Sequence, residues 1–263
     1  MSSEEQVTPL LKNRNLYMIF IVTLIAVMGV ASIAPAFPQM IEYFDISKKQ
    51  VGLLVSLFTL PGILLAPLAG ILADRLGRKT ILIPSLIVFG IAGFSCMFAK
   101  DFNTLLLLRF IQGLGGASLG ALNVTLIGDL FEGKKRATAM GYNASVLSVG
   151  TASYPAIGGL LAIFGWNFPF ILPLFAIPLG ILIAFQLKTP EPAEKQQLSD
   201  YIKSLWKNIN RSSVYGLFII NILVFFLIYG AFITYLPILL KEKMDAVSWQ
   251  IGIAMSAMSL TTA

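Results

Sequence analysis

Apolar residues occur along this chain in runs of about twenty or more, separated by short segments that carry most of the charges. An α-helix rises about 1.5 Å per residue, so each run is long enough to cross a hydrocarbon layer of about 30 Å. The pattern predicts seven complete membrane-spanning helices and the beginning of an eighth, over residues 16–40, 51–73, 80–99, 105–128, 137–164, 169–187, 214–240 and 249–263.

The composition agrees with this pattern. Hydrophobic residues make up 57% of the chain and charged residues 12%, which is too little charge to cover the surface of a soluble domain. The first apolar run is longer than the core of a cleavable signal peptide, so we expect it to remain as a spanning helix. The eighth run reaches residue 263 without a polar flank, and we therefore expect the sequence to be the front part of a longer protein.

The charged residues indicate how the chain is oriented in the membrane. If the N-terminus is placed in the cytoplasm, the loops on that side carry thirteen Lys and Arg residues and the opposite loops carry five. This bias predicts a multi-pass protein of the cell membrane with a cytoplasmic N-terminus. The net charge of +6 does not indicate nucleic-acid binding, because the basic residues are spread over short loops.

The longest polar segment, residues 188–212, follows the sixth span and contains two prolines and five basic residues. Its length and position favour a joint between two six-helix halves, although a long cytoplasmic loop is the alternative. The predicted fold is an all-α transmembrane bundle. It consists of a cytoplasmic tail (1–15), a six-helix half (16–187), a linker (188–212) and the start of a second half (213–263).

The residue types exclude several classes of chemistry. The chain has no histidine and one cysteine, Cys96, so a disulfide within the chain and a Cys/His metal site are both excluded. None of the thirteen acidic residues falls at mid-membrane depth, and no nucleophile lies beside a base. We therefore expect neither an enzyme nor a bound cofactor.

Arg109 is the one charged residue inside a predicted span. It shares one face of the fourth helix with other polar or small residues at steps of three or four, namely Gln112, Gly113, Gly116, Gly120 and Asn123. Such a face lines a cavity or a tight helix interface, and for the glycines the two interpretations stay open. For Arg109, the alternative is a side chain that reaches the membrane surface.

The first and seventh spans carry similar patterns. Ser32 and Gln39 share a face of the first span near Pro35 and Pro38, and the seventh contains Asn221 and Tyr229. Interrupted polar helices at equivalent positions of a repeat indicate a substrate site. The candidates for a substrate or proton pathway are Arg109, Gln112, Gly116, Asn123, Ser32, Gln39, Asn221 and Tyr229.

The loop after the second span reads GILADRLGRKT over residues 70–80. Gly77 permits a tight turn, and the basic residues are typical of a cytoplasmic loop. The order of Gly70, Asp74, Arg75, Gly77, Arg78 and Lys79 closely resembles the signature between helices two and three of the major facilitator superfamily. The resemblance implies a cytoplasmic latch, in which Asp74 contacts the second half and Arg78 pairs with Asp129.

Two further segments resemble motifs of the same family. Residues 105–117, which include Arg109 and Gln112, are similar to its fourth-helix motif, whose arginine is implicated in proton coupling. A set in the fifth span is similar to the fifth-helix motif of the family's antiporters, with Tyr154 where that motif usually has glycine; its members are Gly150, Pro155, Gly158 and Gly159. The arrangement is most similar to twelve-helix drug:proton antiporters.

This resemblance implies alternating access, with a small molecule as substrate, protons as the coupling ion and the lipid bilayer as the surroundings. The first functional hypothesis is export of lipophilic compounds driven by protons. The second is a symporter that takes up a small metabolite, with Arg109 binding an anionic substrate. A membrane receptor is the alternative from another class, and the loop motif argues against it. The oligomeric state cannot be read from the sequence.

Overall fold

A computed structural model describes residues 10–187 and 212–260, which form eight consecutive helical segments without a strand. Six of these segments are long and apolar enough to cross a membrane, and the bent second segment makes a seventh. The segments are α1 (Arg14–Phe44), α2 (Leu53–Leu76), α3 (Arg78–Phe98), α4 (Phe102–Leu130), α5 (Gly133–Leu161), α6 (Phe168–Gln186), α7 (Ser212–Phe225, Phe226–Tyr235 and Leu236–Met244) and α8 (Ser248–Leu260). The chain is therefore a multi-pass membrane protein.

The predicted spans are confirmed, and their described ends differ from those predicted by at most four residues. Most differences arise because polar residues extend a helix beyond its apolar run. The side chain of Asn13 accepts a hydrogen bond from the N–H of Asn15 and so begins α1. The side chain of Asp101 accepts a hydrogen bond from the N–H of Thr104 and so begins α4. In α5, the basic residues after Gly133 continue the helix into the loop.

The helices alternate in direction, so their termini lie at two opposite ends of the bundle. One end carries Arg78, Asp129 and the last turns of α2, α4 and α6, and is called the Arg78 end. The opposite end carries Trp166, which stacks near Tyr43 and Phe44 at the end of α1, and is called the Trp166 end. The regions predicted as tail and linker fall mostly outside the described residues, so this division of the chain stays a prediction.

The first six helices pack around α4, which lies against α2, α3 and α1. Glycines allow these close approaches. An added Cβ at Gly113 would collide with the carbonyl oxygen of Phe58 in α2, and one at Gly115 would lie 2.5 Å from the nitrogen of Phe89 in α3. Gly113 and Gly116 therefore serve helix packing, one of the two interpretations that the sequence left open, whereas nothing lies within 4 Å of an added Cβ at Gly120.

The second half begins with α7, whose central segment, Phe226–Tyr235, is a π-helix. The hydroxyl of Thr234 donates to the carbonyl of Tyr229, five residues earlier, at 2.7 Å. Such i→i+5 segments are rare and frequently occur at functional sites. Next, α8 returns from the Trp166 end and packs along α5, so that the first half contacts the second along this pair of helices.

Candidate functional site

Arg109 occupies the interior of the first half. Its side chain is fully buried, with 0% exposure. The Nε atom donates to the carbonyl of Leu54 at 3.2 Å, and Nη1 donates to the carbonyl of Gly29 at 2.8 Å and to Oε1 of Gln112 at 2.6 Å. The guanidinium carbon also lies 4.4 Å from the centre of the Phe58 ring. Arg109 thereby joins α4 to α1 and α2.

The charged guanidinium of Arg109 hydrogen-bonds to neutral groups. Among residues 10–187 and 212–260, no carboxylate forms an ion pair with it. Two buried donors at this place, Nη2 of Arg109 and Nε2 of Gln112, have no hydrogen-bond partner in the part of the chain that the structure describes. A buried charge without a counter-ion raises the free energy of the folded state. Such charges are uncommon outside functional sites. Because the side chain is enclosed, the alternative in which Arg109 reaches the membrane surface is wrong; its place on a transport pathway stays a prediction.

Asn123 lies nearer the Arg78 end, in a separate polar cluster. Its Nδ2 donates to the hydroxyl of Thr23 in α1 and to Oδ1 of Asn143 in α5, the latter at 3.4 Å. The Thr23 hydroxyl in turn contacts Asn143 Oδ1 at 2.5 Å. All three side chains are buried, so the cluster fastens three helices together. Thr23 and Asn143 were not among the predicted residues, although each is an uncharged polar residue inside an apolar run.

Ser32 and Gln39 lie near the Trp166 end, where α1 passes α5. The Ser32 hydroxyl donates to the carbonyl of Met28, and an added Cβ at Gly158 would collide with the Ser32 carbonyl oxygen. The side chain of Gln39 donates to the carbonyl of Ala162 at 3.0 Å. These two predicted residues therefore support the contact between α1 and α5.

The glycines of the fifth-helix motif contact two different helices. An added Cβ at Gly150 would lie 3.1 Å from Leu24 in α1, so this glycine, like Gly158, faces α1. At Gly159 an added Cβ would lie 2.5 Å from the carbonyl oxygen of Ser248 and 3.1 Å from Cα of Gly252 in α8. Gly159 and Gly252 thus bring the backbones of the two halves together near the Trp166 end.

A groove of about 350 Å³ lies beside the last described turn of α8, lined by Ala144, Ser145, Ser148 and Val149 of α5 and by Leu260 of α8. The lining residues are small, hydroxylated or apolar, and none carries a charge. Nearer the Trp166 end, the backbones of α5 and α8 approach each other closely at Gly159.

Arg78 forms a charged cluster at the end that bears its name. Its Nη2 lies 2.5 Å from Asp74 Oδ1, and its Nε donates to Asp129 Oδ2 at 2.8 Å. The predicted contact between Arg78 and Asp129 is thus present. Asp74 contacts Arg78 of the same half in this structure, and its predicted contact with the second half, like the latch itself, stays a prediction.

The turn before this cluster positions Arg78. Gly77 has φ 94° and ψ 144°, a conformation that side chains with a Cβ rarely adopt. After the turn, the ammonium of Lys79 donates to the carbonyl of Ala184 at 2.7 Å and so caps the end of α6. Of the other motif residues, Gly70 has open space around it and Arg75 lies in the last turn of α2.

The two candidates in α7 are separate from the other predicted residues. Tyr229 lies in the π-helical segment, and its ring stacks on Phe225 with centroids 5.2 Å apart. Asn221 lies one helical segment earlier, on an exposed part of α7. The structure therefore distributes the eight pathway candidates among four places, with Arg109 beside Gln112, and does not gather them into one pocket.

Two carboxyl groups outside the spans have shifted pKa values. The hydroxyl and N–H of Thr104 donate to Asp101, which lowers the pKa of Asp101 below its ordinary value of 3.8. A hydrogen bond from Lys241, together with its charge, lowers the pKa of Asp245 in the same direction. Within the described ranges, no group of three or more His, Cys, Asp or Glu is placed to hold a metal ion.

Comparison with known sequences identifies relatives over most of the chain. The family profile described as Major Facilitator Superfamily matches residues 19–263. The bacillibactin exporter of Bacillus subtilis (strain 168) is 30% identical over 241 residues, which are 88% of this chain and 60% of that protein. The quinolone resistance protein NorA of Staphylococcus aureus is 29% identical over 170 residues, which are 65% of this chain and 43% of NorA. The chain thus spans at most about 60% of these relatives.

Solved structures share the fold. The crystal structure of a bacterial homolog to the human lysosomal transporter Spinster, in an inward-facing and unoccupied conformation, aligns with a TM-score of 0.78 at 20% identity. The aligned region covers 93% of this chain and 59% of that protein. The D-xylose-proton symporter aligns with a TM-score of 0.65 at 14% identity and covers 93% of this chain and 66% of its own.

Proposed function

The chain belongs to the Major Facilitator Superfamily, and on this premise we propose that it is part of a transporter that exports lipophilic small molecules in exchange for protons. The transporter works by alternating access, in which two helical halves rock about a central pathway. The chain supplies six helices of one half and the first two segments of the other.

The contact between α5 and α8 is the observation that carries this proposal. The two halves touch backbone to backbone at Gly159 and Gly252, near one end of the bundle. A close contact between the halves at one end fits a rocking mechanism, because such a contact closes the pathway on that side.

The positive-inside bias supports the orientation. Thirteen basic residues lie in the loops that are cytoplasmic if the N-terminus is cytoplasmic, and five lie in the others. We therefore place the Arg78 end in the cytoplasm and the Trp166 end outside, in the cell membrane. In this orientation the structure represents a conformer that is closed at the outer end, where α5 and α8 are in contact.

The proposed substrate class rests on the relatives and on the surface of α4. One relative is an exporter and another a quinolone resistance protein, which favours export over uptake. On the face of α4 that carries Arg109, nothing lies within 4 Å of an added Cβ at Gly120, and Val124, one turn later, is exposed. An apolar surface of this kind suits lipophilic compounds better than anionic metabolites. The buried Arg109 gives the symporter alternative no accessible anion site.

Protons are the proposed coupling ion, by resemblance to the antiporters. Proton exchange requires a group that gains and loses a proton during the cycle. The acids of the described residues lie in loops or near helix ends, and Asp129 is the one at the family's fourth-helix position. We therefore propose Asp129, released from Arg78 in another conformer, as the proton carrier within this part of the chain.

Transport by everted membrane vesicles tests the proposal. The complete reading frame that contains this chain is expressed, and accumulation of a lipophilic fluorescent dye is followed as a pH gradient is imposed. We expect uptake into everted vesicles that an uncoupler abolishes. Gly159→Trp, which blocks the α5–α8 contact, is the inactive control. Uptake that persists without a gradient, or that requires gradients of another ion, would contradict proton-coupled export.

A further inference from the structure

A hydrogen bond joins the two halves beside the glycine contact. The backbone N–H of Ala156 in α5 donates to the hydroxyl oxygen of Ser256 in α8 at 2.9 Å. Ser256 lies outside the three motifs that the sequence argument used, and its side chain is 8% exposed. This is a side chain of one half bound to the main chain of the other.

The residues around this bond explain why it can form. Pro155 has no N–H, so the backbone of α5 is less fully hydrogen-bonded here than in a regular helix. An added Cβ at Gly252 would collide with the carbonyl of Pro155, which shows how closely α8 approaches. Ser248, Gly252 and Ser256 recur every four residues and are buried, so they form one face of α8 toward α5.

From this geometry we propose that Ser256 is a positioning residue that favours the conformer closed at the outer end. The inference rests on the proposed alternating access. The bond requires α8 to lie on α5, so it is made when the outer end is closed and lost when the halves separate there. An interaction present in one conformer shifts the equilibrium toward that conformer by the free energy of the interaction.

The neighbouring serines differ from Ser256 in the bonds that their hydroxyls make. The hydroxyl of Ser153 in α5 donates to the carbonyl of Val149, and the hydroxyl of Ser95 in α3 donates to the carbonyl of Ile91. Both bonds lie within one helix and survive any movement of the halves as rigid bodies. Ser153 therefore provides a matched control on the same helix pair, because its loss changes no contact between the halves.

Continuous-wave electron paramagnetic resonance tests the proposal in the complete protein, reconstituted in lipid nanodiscs. Spin labels are attached at Lys48→Cys and Glu242→Cys, two residues whose side chains meet at the outer end of the closed conformer, in a Cys96→Ala background. The fraction of the spectrum that is broadened by dipolar coupling between the labels gives the ratio of closed to open conformers. We expect Ser256→Ala to lower this ratio about three- to tenfold, the range for single hydrogen bonds between membrane helices.

The companion variants make the result specific. Ser256→Thr keeps the hydroxyl and should retain the ratio better than Ser256→Ala, while Ser153→Ala should leave it unchanged. Equal ratios in the Ser256→Ala and background proteins would overturn the inference, provided that the background ratio responds to pH or to dye. A background ratio that responds to neither counts against alternating access itself, and with it against the role of Ser256.

Discussion

Two arginines with little or no exposure are bound by different kinds of groups. Arg78, with a side chain 13% exposed, lies at the end of the bundle between two carboxylates, Asp74 and Asp129. Arg109 is fully buried in the bundle and contacts carbonyls, an amide and an aromatic ring. The first charge is more than neutralised, whereas the second has no counter-ion among the described residues.

The difference indicates what each charge contributes. Arg78 and its two carboxylates lie at the end of the bundle, where water and salt weaken each contact and allow it to break. Arg109 is shielded from water, so its uncompensated charge raises the free energy of the folded state and has to be retained for another reason. Stability should therefore depend on Arg78, and transport should depend more strongly on Arg109.

Arg109→Met should have the largest effect on transport. Methionine fills a similar apolar volume but removes hydrogen bonds of a charged group, each contributing about 1.5–3 kcal/mol. Loss of two such bonds among α1, α2 and α4 predicts a fall in dye transport of about a hundredfold or more. The melting temperature should stay the same or rise, because removing the uncompensated buried charge offsets the loss of its hydrogen bonds. Everted-vesicle transport and thermal unfolding in detergent measure the two quantities.

Arg78→Met is the contrasting variant. It leaves Asp74 and Asp129 without their shared cation, so the melting temperature should fall. Arg109→Lys keeps the charge but cannot reproduce the fork of hydrogen bonds, and transport should remain low. If Arg109→Met lowers the melting temperature more than Arg78→Met does, the distinction between the two arginines is wrong.

A charge swap at the Arg78 end should have the next largest effect. Arg78→Glu and Asp129→Arg should each lower transport. The double variant should recover part of it, with a coupling of about 0.5–3 kcal/mol, because it restores the ion pair and keeps a carboxyl group at the same place to carry the proton. Recovery should be incomplete because Glu at position 78 would face Asp74, four residues earlier on the chain. Adding Asp74→Asn removes this repulsion and should improve recovery. No recovery in either combination would argue against the pair.

The number and limits of the helices could be predicted because the bilayer fixes both length and polarity. The polar face of α4 was also correctly recognised as a tight interface or a cavity wall, since Arg109, Gln112 and the glycines recur at helical spacing. What covers that face could not be predicted. Arg109 binds carbonyls of Gly29 and Leu54, and a backbone carbonyl has no signature in the sequence.

Contacts between distant helices escaped prediction for a related reason. The cluster of Thr23, Asn123 and Asn143 depends on how α1 and α5 are rotated about their axes. Sequence spacing fixes a face within one helix but not the face that a neighbour presents. The π-helix of α7 was also missed, because its ten residues are largely apolar and carry no periodic pattern that separates i→i+5 from i→i+4 bonding.

Gly77→Ala should destabilise the Arg78 end moderately. At φ 94° a Cβ is strained whatever space surrounds it, and such strain costs about 1–3 kcal/mol. The strain should turn Arg78 away from its carboxylates, so the melting temperature and the yield of folded protein should both decrease. Gly70→Ala is the matched control, because nothing lies within 4 Å of an added Cβ there. Equal stability of the two variants would show that the turn tolerates a side chain.

Asp101 should give the smallest effect and the one that depends on pH. Thr104 holds the pKa of Asp101 below 3.8, its ordinary value, so the ionised cap stabilises the folded protein at any pH above that value. As the pH falls below 3.8 and through the lower pKa of the folded state, the stabilisation is lost. Asp101→Asn remains a good helix cap and should change the melting temperature little at pH 7, but it should flatten the decline that begins as the pH falls below 3.8. If the melting temperatures of both proteins decline equally with pH, the acid dependence arises from other carboxylates. Asp74 and Asp129 beside Arg78 would then be substituted next.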